Sequence, residues 1–129
     1  MNERIESLYG KIADALYANI NSSFDTAWIN VEMQKDVGLL GVYFKTSDIQ
    51  YFTIRPAVTL FKLFNALWHE FIAAGQPAWS TATFTIHSDG KFSLDLGYDD
   101  VSDGRSTSLD RVKAWMKKYL GDVQVKELA

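Results

Sequence analysis

The first twenty residues carry apolar side chains at the spacing of one helix face. Steps of three and four residues connect Ile5, Leu8, Tyr9, Ile12, Leu16 and Ile20, which is the period of an amphipathic helix. Asn2 precedes this stripe as an N-cap, and Glu3 and Glu6 lie near the positive end of the helix dipole. The pattern predicts a helix over residues 2–20.

From residue 27 onward the pattern alternates with the period of a β-strand. Apolar and polar residues alternate over 27–33 and again over 40–45, and a third short run covers 49–54. Turn signals at 35–38 and 46–48 separate the three runs. Short alternating runs with tight connections predict an antiparallel meander of three strands.

The middle of the chain carries the most apolar helical pattern. Pro56 suits the start of a helix, and apolar side chains then cover more than half of the circumference over 57–74. Gly75 fits the C′ position, and Pro77 follows where the helix cannot continue. We expect this helix to be the central, buried one.

Residues 79–98 read as a hairpin whose register follows from its apolar faces. Opposed residues share a face, so Ile86 must face an apolar partner, and pairing it with Phe92 leaves 88–90 as a three-residue loop with Gly90 at the αL position. A last helix then begins at Thr107 or Ser108 and runs to about Leu120, with the apolar stripe Leu109, Val112, Met116 and Tyr119. The predicted fold is a single α+β domain over 1–129, of order α-β-β-β-α-β-β-α, with a mainly antiparallel sheet packed against helices.

Composition narrows the class of protein. The 129 residues are 47% hydrophobic and 14% aromatic and include no cysteine, which excludes a disulfide framework, a thiolate zinc site and a cysteine nucleophile. No apolar leader opens the chain, and the longest apolar stretch, 60–72, is interrupted by Lys62, Asn65, His69 and Glu70, so we expect a cytoplasmic protein without a membrane span. The net charge of −3 and the absence of a basic patch argue against direct nucleic-acid binding.

Catalytic and metal-binding patterns are absent from the sequence. His69-Glu70 begins like a zincin helix, but Ala73 stands where the second histidine belongs. No Gly-x-Ser-x-Gly elbow and no glycine-rich phosphate loop are present. The acidic stretch that includes Asp89, Asp95, Asp99, Asp100 and Asp103 lacks EF-hand spacing, so Asx-turns and caps in a solvated loop explain it better than a metal. We therefore expect no catalytic residues, no cofactor and no metal.

The four tryptophans divide into two pairs. Trp68 and Trp115 lie on or beside helical stripes and are expected in the core. Trp28 and Trp79 fall on the polar side of their strands, which suits either an interface or a position beneath a terminal segment.

The hairpin and the last helix carry a recognisable set of motifs. These are Gly75-Gln76-Pro77-Ala78-Trp79-Ser80, Thr83-Phe84-Thr85, Gly90-Lys91-Phe92, Asp95-x-x-Tyr98-x-Asp100 and Trp115-x-x-Lys118-Tyr119-Leu120-Gly121. Together they resemble the YezG-like immunity (antitoxin) family. The specific motifs lie within 70–121, whereas 1–55 matches in pattern only. The motif glycines and phenylalanines read as structural, so the resemblance transfers no contact residue.

The resemblance implies a bacterial immunity protein that binds and neutralises a toxin domain, such as a nuclease delivered in contact-dependent inhibition, and that is not an enzyme. We expect the toxin to meet the polar face of the hairpin and the adjoining acidic loop, at Trp79, Thr83, His87, Asp95, Asp99, Asp100 and Asp103. A monomer or weak homodimer is expected. Three alternatives remain open. The first is a non-inhibitory adaptor or chaperone of a secretion system, the second is a small hydrolase that uses His87 with Asp95, and the third is a scaffold domain with a purely structural role.

Overall fold

Three helices and six strands make up the fold in a computed structural model, which describes residues 2–102 and 108–128. In chain order they are α1 (Glu3–Ile20), β1 (Thr26–Gln34), β2 (Val37–Lys45), β3 (Tyr51–Ile54), α2 (Val58–Ala73), β4 (Thr81–His87), β5 (Phe92–Gly97), α3 (Ser108–Tyr119) and β6 (Val125–Leu128). The predicted α+β class and the predicted order of the first eight elements are confirmed.

The strands form one sheet in the order β5-β4-β1-β2-β3-β6. All neighbouring pairs are antiparallel except β3 and β6, which are parallel. Ile86 pairs with Phe92 as the apolar pattern predicts, and Gly90 adopts a φ of 85° in the loop, a conformation that costs glycine little. The hairpin register is therefore as predicted.

The main core lies between one face of the sheet and the helices α1 and α2. The inward residues of β1, the stripe of α1 and one face of α2 are buried there. Within α2 only Leu60, Phe64 and Leu67 are fully buried, and Ile72 is 43% exposed. The expectation that α2 is the central helix is wrong, because α2 lies beside α1 in an outer layer and turns only one face to the sheet.

Helix α3 crosses the opposite face of the sheet and covers a smaller cluster. Trp28, Tyr43 and Leu120 are buried there, and side chains of α3 and β6 pack against them. Trp28 thus lies beneath the C-terminal segment. Of the two positions that its place on the polar side of β1 suggested, an interface or a site under a terminal segment, the structure shows the second. Leu109 of the predicted α3 stripe is exposed instead, and no residue of α3 is fully buried.

The strand β6 is absent from the predicted order. It adds four residues to the sheet edge, where Val125 pairs with Tyr51 and also packs against the Trp28 cluster. Its partner β3 lies more than seventy residues earlier, and no local turn signal indicates a parallel pairing of that kind.

No helix in the described part of the chain is long and apolar enough to cross a membrane.

A polar contact ties the β1–β2 turn to α2. His69 Nε2 donates to Asp36 Oδ1 at 2.8 Å, and Asp36 holds a φ of 59° in the turn. The hydrogen bond from His69, supported by a second from Asn65, lowers the pKa of Asp36 below its ordinary value. The role of His69 is thus to fix the turn against the helix layer.

Replacing His69 with alanine is expected to return the pKa of Asp36 toward its ordinary value. Because the carboxyl pKa is lower in the folded state, the contact stabilises the fold above the ordinary aspartate range and the stabilisation disappears as pH falls through the folded pKa. The stability difference between wild type and His69→Ala should therefore be present near about pH 5 and shrink under acid conditions. NMR titration of the Asp36 carboxyl carbon measures the pKa, with His87→Ala as the control that leaves it unchanged.

Candidate functional site

Part of the predicted partner surface borders a groove of about 560 Å³ between α3 and the β4–β5 hairpin. The structure brings Thr83, Asp95 and Asp99 together in this groove. We call it the α3 groove, and its lining residues are Asn30, Glu32, Thr81, Thr83, Asp95, Leu96, Gly97, Asp99, Arg111, Ala114, Trp115, Lys118 and Tyr119.

The floor of the α3 groove consists of two rows of paired strand residues. Asn30 pairs with Thr83, and Thr83 pairs in turn with Asp95. In the adjacent row Thr81 pairs with Gly97, where an added Cβ would lie 2.2 Å from Thr81 Oγ1. The Thr81 hydroxyl therefore packs against the backbone at position 97, where a larger residue would force Thr81 to move.

One face of α3 forms the wall of the groove. Its lining residues follow one another at alternating steps of three and one, so that every second one is four residues further on, which places them on a single side of the helix. They are Arg111, Ala114, Trp115, Lys118 and Tyr119. The small side chain of Ala114 leaves space in the middle of this wall.

Side-chain hydrogen bonds from α3 help to hold the helix over the sheet. Trp115 Nε1 donates to Thr83 Oγ1 at 2.8 Å, and Tyr119 Oη donates to Asp95 Oδ2 at 3.0 Å. Arg111 binds both carboxylate oxygens of Glu32, at 2.6 and 3.0 Å. Bidentate guanidinium–carboxylate pairs of this kind are directional as well as strong. These contacts fix the width of the groove.

The described part of the acidic loop after β5, residues 98–102, is anchored by its backbone and presents its aspartate side chains to solvent. Ser80 Oγ donates to the carbonyl of Asp99 at 2.5 Å, and Gln34 Nε2 donates to the carbonyl of Val101 at 2.8 Å. Asp100 accepts hydrogen bonds from the hydroxyl and the backbone N–H of Ser102, which lower its pKa. Two carboxylates, those of Asp99 and Asp100, thus remain exposed on a fixed backbone.

The predicted exposure of Trp79 is wrong. Its side chain is 1% exposed and belongs to the core beneath α1 and α2. Trp79 lies two residues before β4 begins, so the alternation of the strand does not set its direction. Its carbonyl accepts a hydrogen bond from Trp68 Nε1 at 2.9 Å, which links it to α2. Thr83 is likewise buried, in this case beneath Trp115.

The other predicted residues lie apart from the groove or outside the described residues. His87 is exposed at the end of β4, where its Nδ1 lies 3.2 Å from Thr26 Oγ1. Asp95 pairs with Thr83, four residues back along the strand, which separates it from His87 by about 13 Å. The pair required by the hydrolase alternative is therefore not assembled. Asp103 and Thr107 lie outside the described residues.

Comparison with known sequences identifies the relatives of this fold. The family model described as "Immunity protein YezG-like" matches residues 50–128, which is more than half of the chain. The chain belongs to the YezG-like immunity protein family. A search of curated proteins found no match.

The YezG-like match covers most of the α3 groove. It includes every lining residue from β4, β5 and α3, and leaves Asn30 and Glu32 of β1 outside it. The resemblance seen in the sequence motifs is thereby confirmed. An immunity-type role with a protein partner follows from the family, whose members are generally not enzymes.

Sequence reasoning missed the α3 side of the groove. The roles of Arg111, Trp115 and Tyr119 depend on how α3 docks on the sheet. Helical periodicity shows which residues share a helix face, but it does not predict where or in which direction the helix crosses the sheet. A weak signal exists in the tryptophan and tyrosine at positions 115 and 119, since aromatic residues four apart share a helix face.

Within 2–102 and 108–128, no three histidine, aspartate or glutamate side chains are placed to hold a metal ion.

Proposed function

We propose that this YezG-like protein binds a cognate toxin domain in the cytoplasm and neutralises it by covering its active or partner-binding surface. One observation supports this proposal: exposed carboxylates lie beside a groove whose helix wall is aromatic. The carboxylates are those of Asp95, Asp99 and Asp100, and the aromatic side chains are Trp115 and Tyr119. Aromatic side chains at the centre of an interface supply affinity, and charges at its rim supply orientation and speed.

The acidic side of this surface suits a basic partner. A toxin domain that acts on nucleic acid carries basic residues in its cleft, and carboxylates at the rim would meet them there. Attraction between opposite charges also raises the rate of association, which matters for a protein that must capture its partner before damage occurs. The toxin contact surface then comprises the acidic loop and the α3 groove, with His87 and Asp103 as further predicted contacts and without Trp79.

Co-expression with a candidate toxin domain tests the proposed function. We expect the cells to survive and a 1:1 complex to co-purify, because inhibition by coverage requires a stable complex. Catalytically inactive toxin serves as the control for expression and binding. Co-purification without survival would contradict neutralisation and support an adaptor role, and survival without a complex would contradict inhibition by binding.

A further inference from the structure

The acidic side chains that line the α3 groove differ in whether they have a partner of opposite charge. Glu32 at one side is satisfied by Arg111. Among the ion pairs of residues 2–102 and 108–128, neither Asp95 nor Asp99 has a cationic partner. Tyr119 supplies one hydrogen bond to Asp95, which leaves most of the acceptor capacity of that carboxylate for other donors.

The aromatic wall of the groove already attracts a cation from the chain itself. Lys118 Nζ lies 5.4 Å from the centroid of the Tyr119 ring, within the range of a cation–π interaction. The Trp115 ring is tilted against the Tyr119 ring at a centroid distance of 5.2 Å. A positively charged group in the groove would therefore meet π surface on the helix side and carboxylates on the strand side.

The groove also has room for an inserted side chain. The groove has a volume of about 560 Å³, and the small side chain of Ala114 leaves the middle of its helix wall free of bulky groups. The hydrogen bonds of Trp115 and Tyr119 to β4 and β5 hold the two sides at a fixed distance. An insertion site with this shape needs little rearrangement, which lowers the cost of binding.

We propose that the α3 groove binds a basic side chain, arginine or lysine, that a partner protein presents on an exposed loop. This inference rests on the proposed function for the identity of the partner, and it names the chemical group that the toxin inserts. The side chain lies along Trp115 and Tyr119, and its charged end reaches Asp95 and Asp99. Lys118 is the competing internal cation.

Titration with short peptides tests the groove without any toxin. The probes are acetyl-Gly-Arg-Gly-amide, acetyl-Gly-Lys-Gly-amide and acetyl-Gly-Glu-Gly-amide, and the readout is the indole N–H signal of Trp115 in an NMR spectrum. We expect saturable shifts with the arginine and lysine probes and none with the glutamate probe. Asp95→Asn with Asp99→Asn should weaken arginine binding about fivefold, whereas Asp122→Asn, outside the groove, should not. Lys118→Ala should strengthen it.

Three results would overturn the groove assignment. These are no shift with basic probes, an equal shift with the acidic probe, or an equal loss of binding in Asp122→Asn. A Trp115 signal that moves with protein concentration alone would instead assign the groove to a second copy of the chain.

The same variants, tested with the toxin domain, separate the two proposals. If Ala114→Phe blocks the groove and the toxin binds with unchanged Kd, the groove assignment fails and the immunity proposal stands. If wild type itself does not bind the toxin, the immunity proposal fails, and the peptide titration still decides what the groove accepts. Ala18→Phe on the exposed side of α1 is the matched control for the added ring.

Discussion

Replacing Trp79 with alanine is expected to lower the free energy of unfolding by about 3–5 kcal/mol. The side chain is among the largest fully buried ones and packs in the core between the sheet and the helices. Its removal leaves a cavity that the surrounding strands and helices fill only in part. Chemical denaturation of wild type and variant, read by far-UV circular dichroism, measures the loss.

Trp79→Phe is the matched variant for this measurement. The indole Nε1–H of Trp79 is buried without a hydrogen-bond partner in the described structure, so phenylalanine removes an unsatisfied donor and keeps much of the buried area. We expect its cost to be well below that of alanine. Unchanged stability of Trp79→Ala together with lost toxin binding would contradict the core position and restore Trp79 to the interface.

Reversing the two charges of the acidic loop, Asp99→Lys with Asp100→Lys, is expected to raise the Kd for the toxin domain about 100-fold. Each exchange places a cation where the proposed partner presents its own, and like charges across an interface repel. The dependence of Kd on salt should also fall, since fewer attractive charges remain to be screened. Titration calorimetry at two ionic strengths measures both effects.

Asp14→Lys with Asp122→Lys makes the same change in net charge away from the loop. This control should alter Kd little, because neither residue belongs to the acidic loop or to the lining of the α3 groove. The melting temperatures of both double variants show whether the fold is retained, since Asp100 also holds the backbone of Ser102. Equal affinities for the two double variants would remove the acidic loop from the binding surface.

Local patterns were sufficient to predict most of the fold. The stripe of α1 and the capping oxygen of Asn2, which accepts from the backbone N–H groups of Arg4 and Ile5, follow from residues within one turn of each other. The pairing of Ile86 with Phe92 follows from the apolar face that both strands must share. These features depend on neighbours in sequence, which is why periodicity predicts them.

Features that depend on docking were not predictable in the same way. The position of α3 is set by the contacts from Trp115 to Thr83 and from Arg111 to Glu32. The first contact spans 32 positions of the sequence and the second spans 79. The burial of Trp79 depends on where β4 begins, a boundary that an alternating pattern leaves open by a residue or two. The candidate site was therefore predicted at its acidic rim, and its aromatic wall emerged only from the fold.

Titrating the toxin domain's activity with the purified protein distinguishes protection by occupation from protection by turnover. If the protein protects by occupation, activity falls in proportion to added protein and reaches its minimum at about one equivalent when both are well above Kd. Progressive loss of toxin activity at a small fraction of an equivalent would show that the protein acts as an enzyme and that occupation is not how it protects.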